Sequence, residues 1–265
     1  MDDKYTELKV NTKPEFVDIL ADFIMSISGE AVEYGEDYVI LRTSSDTTEI
    51  EEKLQSLEIE YTLEKEEKEN EDWIKKYQES VAPIDVAEFY VHPSWYPPKE
   101  EKLNILINPA LAFGSGHHAT TYSCLQAISE SVQSGDTLLD VGCGSGILAL
   151  AASLKGAVVD LCDTDPLAVE SAKENFTLNK QNYNEIWIGS ANKTEKKYDI
   201  VVANIIADVL KMIAPELKSK LKSGGTLIIS GILDKKERIV TDAFLDLEML
   251  QRIQKDEWVT IYYKG

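Results

Sequence analysis

The spacing of apolar residues in the first part of the chain predicts a small α+β domain. Residues 5–10 alternate between apolar and polar as strands do, and Pro14 then opens a stretch with helical spacing that ends at Ser28–Gly29. Two further strands are predicted over residues 31–34 and 38–41, and Ser45 or Asp46 can cap a second helix that runs to about Leu57. This order of elements predicts a ferredoxin-like domain over residues 1–57.

The segment that follows is strongly acidic. Acidic residues far outnumber lysines between Asp46 and Asp72. A charge run of this kind is usually a linker or a solvated helix. We therefore predict a linker over residues 58–84. Its second half is predicted as a helix that docks on the next domain through three residues at helical spacing, Trp73, Ile74 and Tyr77.

From residue 85 to residue 265 apolar runs alternate with helical patterns, which predicts a mostly parallel α/β sheet with helices on both faces. The final stretch, Leu247 to Tyr263, predicts two strands around a charged turn at Lys255–Asp256 that could form an antiparallel edge. The predicted strand runs are Leu103–Ile107, Thr137–Val141, Val158–Leu161, Ile186–Ile188, Ile200–Ala203 and Thr226–Ser230, and the clearest helical patterns are Leu167–Leu178 and Ile206–Leu221.

A glycine-rich turn follows the strand run Thr137–Val141. Gly142, Gly144 and Gly146 are spaced GxGxG and precede an apolar helix. Glycines allow a sharp turn and a close ligand approach. The spacing differs from the GxGxxG of dinucleotide binders and lacks the Lys-Ser/Thr of a phosphate loop, so it suits a nucleoside without a pyrophosphate, such as S-adenosylmethionine. A purely structural turn is the alternative.

Two polar residues end later strand runs. Asp163 follows the run Val158–Leu161, where an acid can accept hydrogen bonds from both ribose hydroxyls, whereas Asp165 is predicted to cap the next helix with Pro166 at its first position. Asn204 follows Val201–Ala203, and its amide could hold a substrate amine. The alternatives are a helix cap or a surface acid for Asp163, and a strand-end cap or a turn residue for Asn204.

The segment Asn108 to Thr121, NPALAFGSGHHATT, is the fourth candidate. A flexible Gly-Ser-Gly turn precedes two threonines that can cap a helix or bind a ligand. The adjacent His117 and His118 point in different directions, and His92 is the only other histidine, so no metal site is expected. Composition alone also allows an ordinary turn here.

Net charge, apolar segments and cysteine spacing restrict the classes of function and location that the chain can have. The formal net charge is -20, which disfavours direct binding of nucleic acid and favours a basic partner, unless the acidity only keeps the protein soluble. The N-terminus has no signal-peptide pattern, and no segment is long and apolar enough to span a membrane. Three cysteines without CxxC spacing favour a reducing, cytoplasmic location.

From about Trp73 to the C-terminus the chain resembles the family that methylates ribosomal large-subunit protein eleven. The resemblance implies a seven-stranded, Rossmann-like class I methyltransferase sheet with S-adenosylmethionine as cofactor. It implies that Thr121, Gly142 and Asp163 contact the cofactor, that Asn204 faces both cofactor and target amine, and that Phe113 and Gly114 line the methionine end. The matching motifs are HPSW (His92–Trp95), NPALAFGSGHHATT, LLDVGCGSGILALAA (Leu138–Ala152), CDTDPLAVESAKEN (Cys162–Asn175), VVANIIADVL (Val201–Leu210), SGGTLIISGIL (Ser223–Leu233) and DEW (Asp256–Trp258).

The resemblance further implies that a basic ribosomal protein is methylated on lysine or N-terminal amines, often to the trimethyl state. It implies a substrate-recognition role for the N-terminal domain, and we expect a monomer. The chain reads GSGHHATT where the family usually has GTGTHPTT, so His117 and Ala119 depart from the pattern. A small-molecule methyltransferase and a non-catalytic S-adenosylmethionine-binding protein are the alternatives.

Overall fold

A four-stranded antiparallel sheet forms the N-terminal unit, residues 1–80, in the computed structural model, which describes residues 4–55, 57, 59–69, 82–107 and 119–265. The strands lie in the order β2-β3-β1-β4. In chain order the elements are β1 (Lys4–Thr12), a 3-10 turn (Pro14–Phe16), α1 (Val17–Ser28), β2 (Val32–Tyr34), β3 (Tyr38–Thr43), α2 (Thr48–Gln55) and β4 (Tyr61–Glu69).

The core of this unit lies between one face of the sheet and both helices. Leu8 and Val10 of β1 alternate with polar residues, so they point to the same face as Val39 and Leu41 of β3. The helices contribute Leu20, Ile24, Ile50 and Leu54 to the same buried cluster. The alternation and the helical spacing therefore predicted these elements correctly, from β1 through α2.

The prediction of a linker over residues 58–71 was wrong, because β4 occupies residues 61–69. This strand pairs with β1 along its whole length, from Tyr61 opposite Thr12 to Glu69 opposite Lys4. Glu64, Glu66 and Glu67 of this edge strand are exposed, and its lysines form ion pairs with acids of neighbouring elements: Lys65 with Glu51 and Lys68 with Glu7. The predicted docking-helix residues Trp73, Ile74 and Tyr77 lie outside the described residues.

The second unit, residues 81–265, contains the predicted seven-stranded Rossmann-like sheet, in the order β10-β9-β8-β11-β12-β14-β13. The first five strands of that order are parallel, and β14 and β13 add the antiparallel edge. The strands are β8 (Thr137–Val141), β9 (Val158–Asp163), β10 (Glu185–Ile188), β11 (Tyr198–Asn204), β12 (Leu221–Leu233), β13 (Glu248–Lys255) and β14 (Trp258–Lys264).

The helices of this unit cover both faces of the sheet. One buried cluster joins the sheet to α3 (Ala119–Ser131), α4 (Ile147–Leu154) and α5 (Pro166–Leu178). A second cluster on the opposite face includes α6 (Ala207–Ser219) and α7 (Glu237–Thr241). No helix within the described ranges is long and apolar enough to cross a membrane.

A separate three-stranded sheet precedes the main one. It consists of β5 (Ile84–Val86), β6 (Phe89–His92) and β7 (Leu103–Leu106). The run Leu103–Ile107, predicted as part of the main sheet, therefore pairs with β6 instead. The side chain of Asn179, after α5, accepts from the backbone N–H of Leu106 at 2.7 Å and donates to its carbonyl at 2.8 Å, which joins β7 to the end of α5.

Candidate functional site

The glycine turn lies between β8 and α4, at the carboxyl edge of the parallel strands. Gly142, Gly144 and Gly146 all have positive φ, at 72°, 52° and 76°, which favours glycine. The backbone N–H of Gly142 donates to the carbonyl of Cys162 at 2.8 Å, which joins the turn to β9. A Cβ added at Gly142 would lie 2.5 Å from Cγ2 of Ile205, so a side chain at this position would have to displace that of Ile205.

Asp163 is the last residue of β9, and its carboxylate is held against the glycine turn. Its Oδ2 accepts from the backbone N–H of Gly144 at 2.9 Å, and its Oδ1 accepts from that of Asp165 at 3.0 Å. Asp165 caps α5 by accepting from the N–H of Leu167, with Pro166 at the first helical position, which confirms that prediction. The two backbone bonds leave lone pairs of Asp163 available to a ligand.

Asn204 ends β11, two strands away from Asp163 in the sheet. Its Nδ2 is 3.5 Å from Oγ1 of Thr121, a buried residue in the first turn of α3. No described residue donates a hydrogen bond to Oδ1 of Asn204. The threonine thus orients the amide, while the carbonyl oxygen stays available for a donor outside the described chain.

Asp140 is a buried acid next to the site that the sequence reasoning missed. It lies in β8 beneath the glycine turn, is fully buried, and accepts one long hydrogen bond at 3.2 Å from the N–H of Ala149. Its Oδ1 has no partner among the described residues, and burial raises the pKa of this carboxyl to about 7. The available signal was an acidic residue inside the apolar run LLDV.

A cavity of about 1190 Å³ brings most of the predicted residues together. Gly142, Gly144, Asp163 and Asn204 line it, whereas Gly146 and Thr121 do not, although Thr120 does. Phe113 and Gly114 lie outside the described residues. The described lining contains no lysine, arginine or histidine, but it contains five acids: Asp163, Asp165, Glu170, Glu174 and Glu216.

The cavity therefore combines features for one class of ligand. Its lining includes Gly142 and Gly144 of the turn, the carboxylate of Asp163 at the end of β9, the amide of Asn204 at the end of β11, and four further carboxylates. Nowhere in the described ranges do three His, Cys, Asp or Glu side chains form a group that could hold a metal ion. Such an arrangement fits a cationic nucleoside and offers the amide to a second, amine-bearing molecule.

Comparisons with known proteins agree with this geometry. The family model described as ribosomal protein L11 methyltransferase matches residues 28–265. The chain is 49% identical to the ribosomal protein L11 methyltransferase of Nitratiruptor sp., over 100% of this chain and 98% of that protein. It is 43% identical to the protein of that name from Campylobacter lari, over 100% of this chain and 99% of that protein.

Two solved methyltransferase structures superpose on this chain. A ribosomal protein L11 methylase from Lactobacillus delbrueckii subsp. bulgaricus superposes with a TM-score of 0.65 and 28% identity, covering 69% of this chain and 98% of that chain. A tRNA m1G37 methyltransferase of M. jannaschii superposes with a TM-score of 0.53, covering 98% of each chain. Its identity is 16%, so this second likeness concerns the fold alone.

Proposed function

The chain belongs to the ribosomal protein L11 methyltransferase family, and on that premise we propose that it transfers methyl groups from S-adenosylmethionine to amines of ribosomal protein L11. The observation that carries the proposal is the convergence of the glycine turn, Asp163 and Asn204 on one cavity at the carboxyl edge of the sheet. Lysine side chains or the N-terminal amine are the acceptors.

We assign the cofactor contacts to the residues already in place around this cavity. The bare Gly142 and Gly144 let the ligand approach the backbone, and Asp163 accepts hydrogen bonds from the ribose hydroxyls. Gly146 supports the turn from the start of α4, and Thr121 acts through Asn204. Phe113 and Gly114 remain predicted contacts of the methionine end.

When bound, the cofactor supplies an electrophilic methyl group: the amine nitrogen forms a bond to that carbon as the carbon–sulfur bond breaks and its electron pair goes to sulfur. Oδ1 of Asn204 accepts an N–H of the target amine, so that the nitrogen lone pair points at the methyl carbon. Only a neutral amine reacts, and a free lysine has a pKa of about 10.4. Desolvation lowers that pKa and the proton passes to water.

The charge of the site supports a basic protein as acceptor. Five carboxylates line the cavity without a described basic residue, and the whole chain carries a net charge of -20. We infer that the N-terminal unit is a ferredoxin-like substrate-recognition domain, because its order of elements, ending in β4, and its strand order β2-β3-β1-β4 fit that fold.

We also infer a cytoplasmic location and a monomer. Cys124, Cys143 and Cys162 are all buried free thiols, which suits a reducing compartment. Light scattering of the purified protein would measure its mass in solution. A dimer mass would contradict the second inference.

The proposed function is tested with labelled S-adenosylmethionine and the purified protein, incubated in parallel with recombinant ribosomal protein L11 and with a cell extract. We expect mass spectrometry to show methyl groups on L11. Label that appears only in metabolites of a cell extract would favour a small-molecule methyltransferase. Calorimetry that detects no binding of S-adenosylmethionine would favour a non-catalytic protein.

A further inference from the structure

The cavity continues past Asp163 to the tip of β10, a region that the assigned cofactor contacts do not use. Gly189 and Ser190 follow β10 and line the cavity together with Glu216 of α6. Oγ of Ser190 donates to Oε2 of Glu216 at 2.6 Å. No described residue donates to Oε1 of Glu216, and no described cation pairs with its carboxylate. Oε1 is therefore available to accept a hydrogen bond from a ligand.

The tip of β10 is fixed next to Asp163. The backbone N–H of Gly189 donates to the carbonyl of Asp163 at 2.7 Å. The indole N–H of Trp187 donates to the carbonyl of Ser190 at 3.0 Å. These bonds set the position of Ser190, and of the Glu216 carboxylate bonded to it, relative to the acid assigned to the ribose.

The order of the strands places this region on the side of the ribose that faces away from Asn204. Along the carboxyl edge the strand tips follow the order β10, β9, β8, β11. The ribose of the cofactor carries the sulfur through C5′ and the base through C1′, on opposite sides of its ring oxygen. With the ribose at Asp163 on β9 and the methyl group at Asn204 on β11, the base extends towards β10.

Two apolar side chains flank the same region of the cavity. Leu167 of α5 and Met212 of α6 line it, although their exposed fractions are 77% and 71%. The two helices pack on opposite faces of the sheet, so these side chains approach the cavity from different sides. A flat aromatic base between them would cover apolar surface that is open to solvent.

We propose that Glu216 is a specificity-determining residue that accepts a hydrogen bond from the exocyclic amino group of the adenine base, with Ser190 orienting its carboxylate. The inference rests on the proposed function, because that function supplies the nucleoside and places its ribose at Asp163. The amino group at C6 of adenine donates. The carbonyl at C6 of hypoxanthine only accepts, so it would face the carboxylate without a hydrogen bond. Glu216 thus selects adenine.

The competing interpretation is that the bond between Ser190 and Glu216 only fastens α6 to the tip of β10. Such a bond would stabilise the protein, but it would not distinguish one base from another. A hydrogen bond to a charged group contributes about 1.5–3 kcal/mol, which corresponds to a roughly 10- to 150-fold change in Kd. Preference between two bases therefore separates the two interpretations.

The test measures calorimetric Kd values of S-adenosylhomocysteine and S-inosylhomocysteine for the wild-type protein, Glu216→Gln and Ser190→Ala. We expect the wild type to bind the adenosyl compound roughly 10- to 150-fold more tightly. The amide of Glu216→Gln can present either its oxygen or its N–H₂ group to C6, so the preference should largely disappear. Ser190→Ala should lie between them, because it keeps the carboxylate but no longer orients it.

The matched control is Glu195→Gln, which removes the same charge from an exposed glutamate of the second unit outside the described lining. It should keep the wild-type preference for the adenosyl compound. Circular dichroism reports whether each variant is folded. Equal weakening of both compounds in folded Glu216→Gln, with the wild-type preference retained, would overturn the proposal. If Glu216→Gln does not fold, an unchanged preference in folded Ser190→Ala would do the same.

The binding measurement needs no methyl transfer, so the two proposals can fail separately. A protein that loses its base preference in Glu216→Gln but never methylates L11 would refute the proposed acceptor alone. A protein that methylates L11 while Glu216→Gln keeps the preference would refute the role of Glu216 alone. A wild-type protein that binds neither compound would refute both.

Discussion

At the scale of single residues, Asn204 and Thr121 illustrate how the fold turns a strand end into an oriented amide. The Thr121 hydroxyl faces Nδ2 of Asn204 at 3.5 Å, and no described residue donates to Oδ1. The Nδ2 end of the Asn204 amide therefore faces Thr121, and its Oδ1 end is available to accept a hydrogen bond from a ligand. Alignment of this kind is what a direct displacement needs from a protein, since bond making requires the nitrogen on the line of the breaking bond.

We predict that Asn204→Ala lowers kcat on L11 by roughly 100-fold, the cost expected for a misplaced acceptor. The calorimetric Kd of S-adenosylmethionine should rise by no more than about tenfold, the worth of one hydrogen bond. Asn184→Ala is the matched control, because Asn184 bonds Asp160 at 2.7 Å near the opposite edge of the sheet. Near-normal turnover in Asn204→Ala would contradict the assigned role.

Asp140 makes a pH-dependent contribution to stability. Burial raises its pKa from 3.8 to about 7 on folding, so the folded state disfavours the carboxylate. The penalty is absent below pH 3.8 and grows as the pH rises towards 7, at about 1.4 kcal/mol for each pH unit. The wild-type protein thus loses part of its free energy of unfolding across this range.

Asp140→Asn should therefore stabilise the protein at pH 8 more than at pH 5, because the amide stays neutral at both. Thermal unfolding followed by circular dichroism at the two pH values measures the difference in Tm. Asp242→Asn is the control, since Asp242 is an exposed aspartate of the second unit. An equal change of Tm at pH 5 and pH 8 in Asp140→Asn would show that its carboxyl keeps an ordinary pKa.

At the scale of secondary-structure elements, the close contact between the end of β11 and β12 determines where Asn204 lies. Gly231 has a φ of 84° and carries no Cβ where Ile205 passes over it. Gly224, also within β12, has a φ of 75°, but a Cβ there would find only Cε of Lys264 at 3.9 Å. The two glycines share a left-handed backbone and differ in what surrounds them.

This difference gives a matched pair of substitutions. Gly224→Ala should cost about 1 kcal/mol of stability for the left-handed backbone alone. Gly231→Ala should cost roughly 1–3 kcal/mol more, because backbone atoms must move, and it should also lower kcat by displacing Asn204. Urea unfolding and steady-state kinetics measure the two effects, and equal behaviour of the pair would contradict the contact.

At the scale of the whole molecule, the excess negative charge is the dominant property. The net charge is -20, and the described lining of the cavity is entirely acidic or neutral. Charged clefts of this kind accelerate encounter with a partner of opposite sign, and salt screens the attraction over about 8 Å at physiological ionic strength. On the proposed function, we expect this acidity to favour basic acceptors before any contact is made.

We predict that kcat/KM for ribosomal protein L11 falls by roughly tenfold or more between low salt and physiological salt, while kcat changes little. Steady-state assays over a potassium chloride series measure this. The Kd of S-adenosylmethionine over the same series serves as the control, because a contact-dominated small ligand should depend less on salt. A kcat/KM independent of salt would show that the acidity acts on solubility only.

Local patterns in the sequence determined most of the fold. Apolar alternation and helical spacing do not depend on distant residues, so β1, α1 and the parallel strands of the second unit were predictable from short windows. That the glycine turn, Asp163 and Asn204 line one cavity was predictable for a related reason: in a parallel sheet each strand end reaches the same edge. Residues far apart in the chain could therefore be placed together.

The tertiary structure alone decided the rest, because those features depend on pairing between distant segments. The acidic stretch 58–71 resembled a linker by charge, but pairing with β1 and ion pairs to Glu7 and Glu51 make residues 61–69 an edge strand. β7 joined a separate sheet because β6 was available as its partner. The environment of Asp140 depends on its burial between packed elements, of which the acidic residue inside the apolar run LLDV was only a local sign.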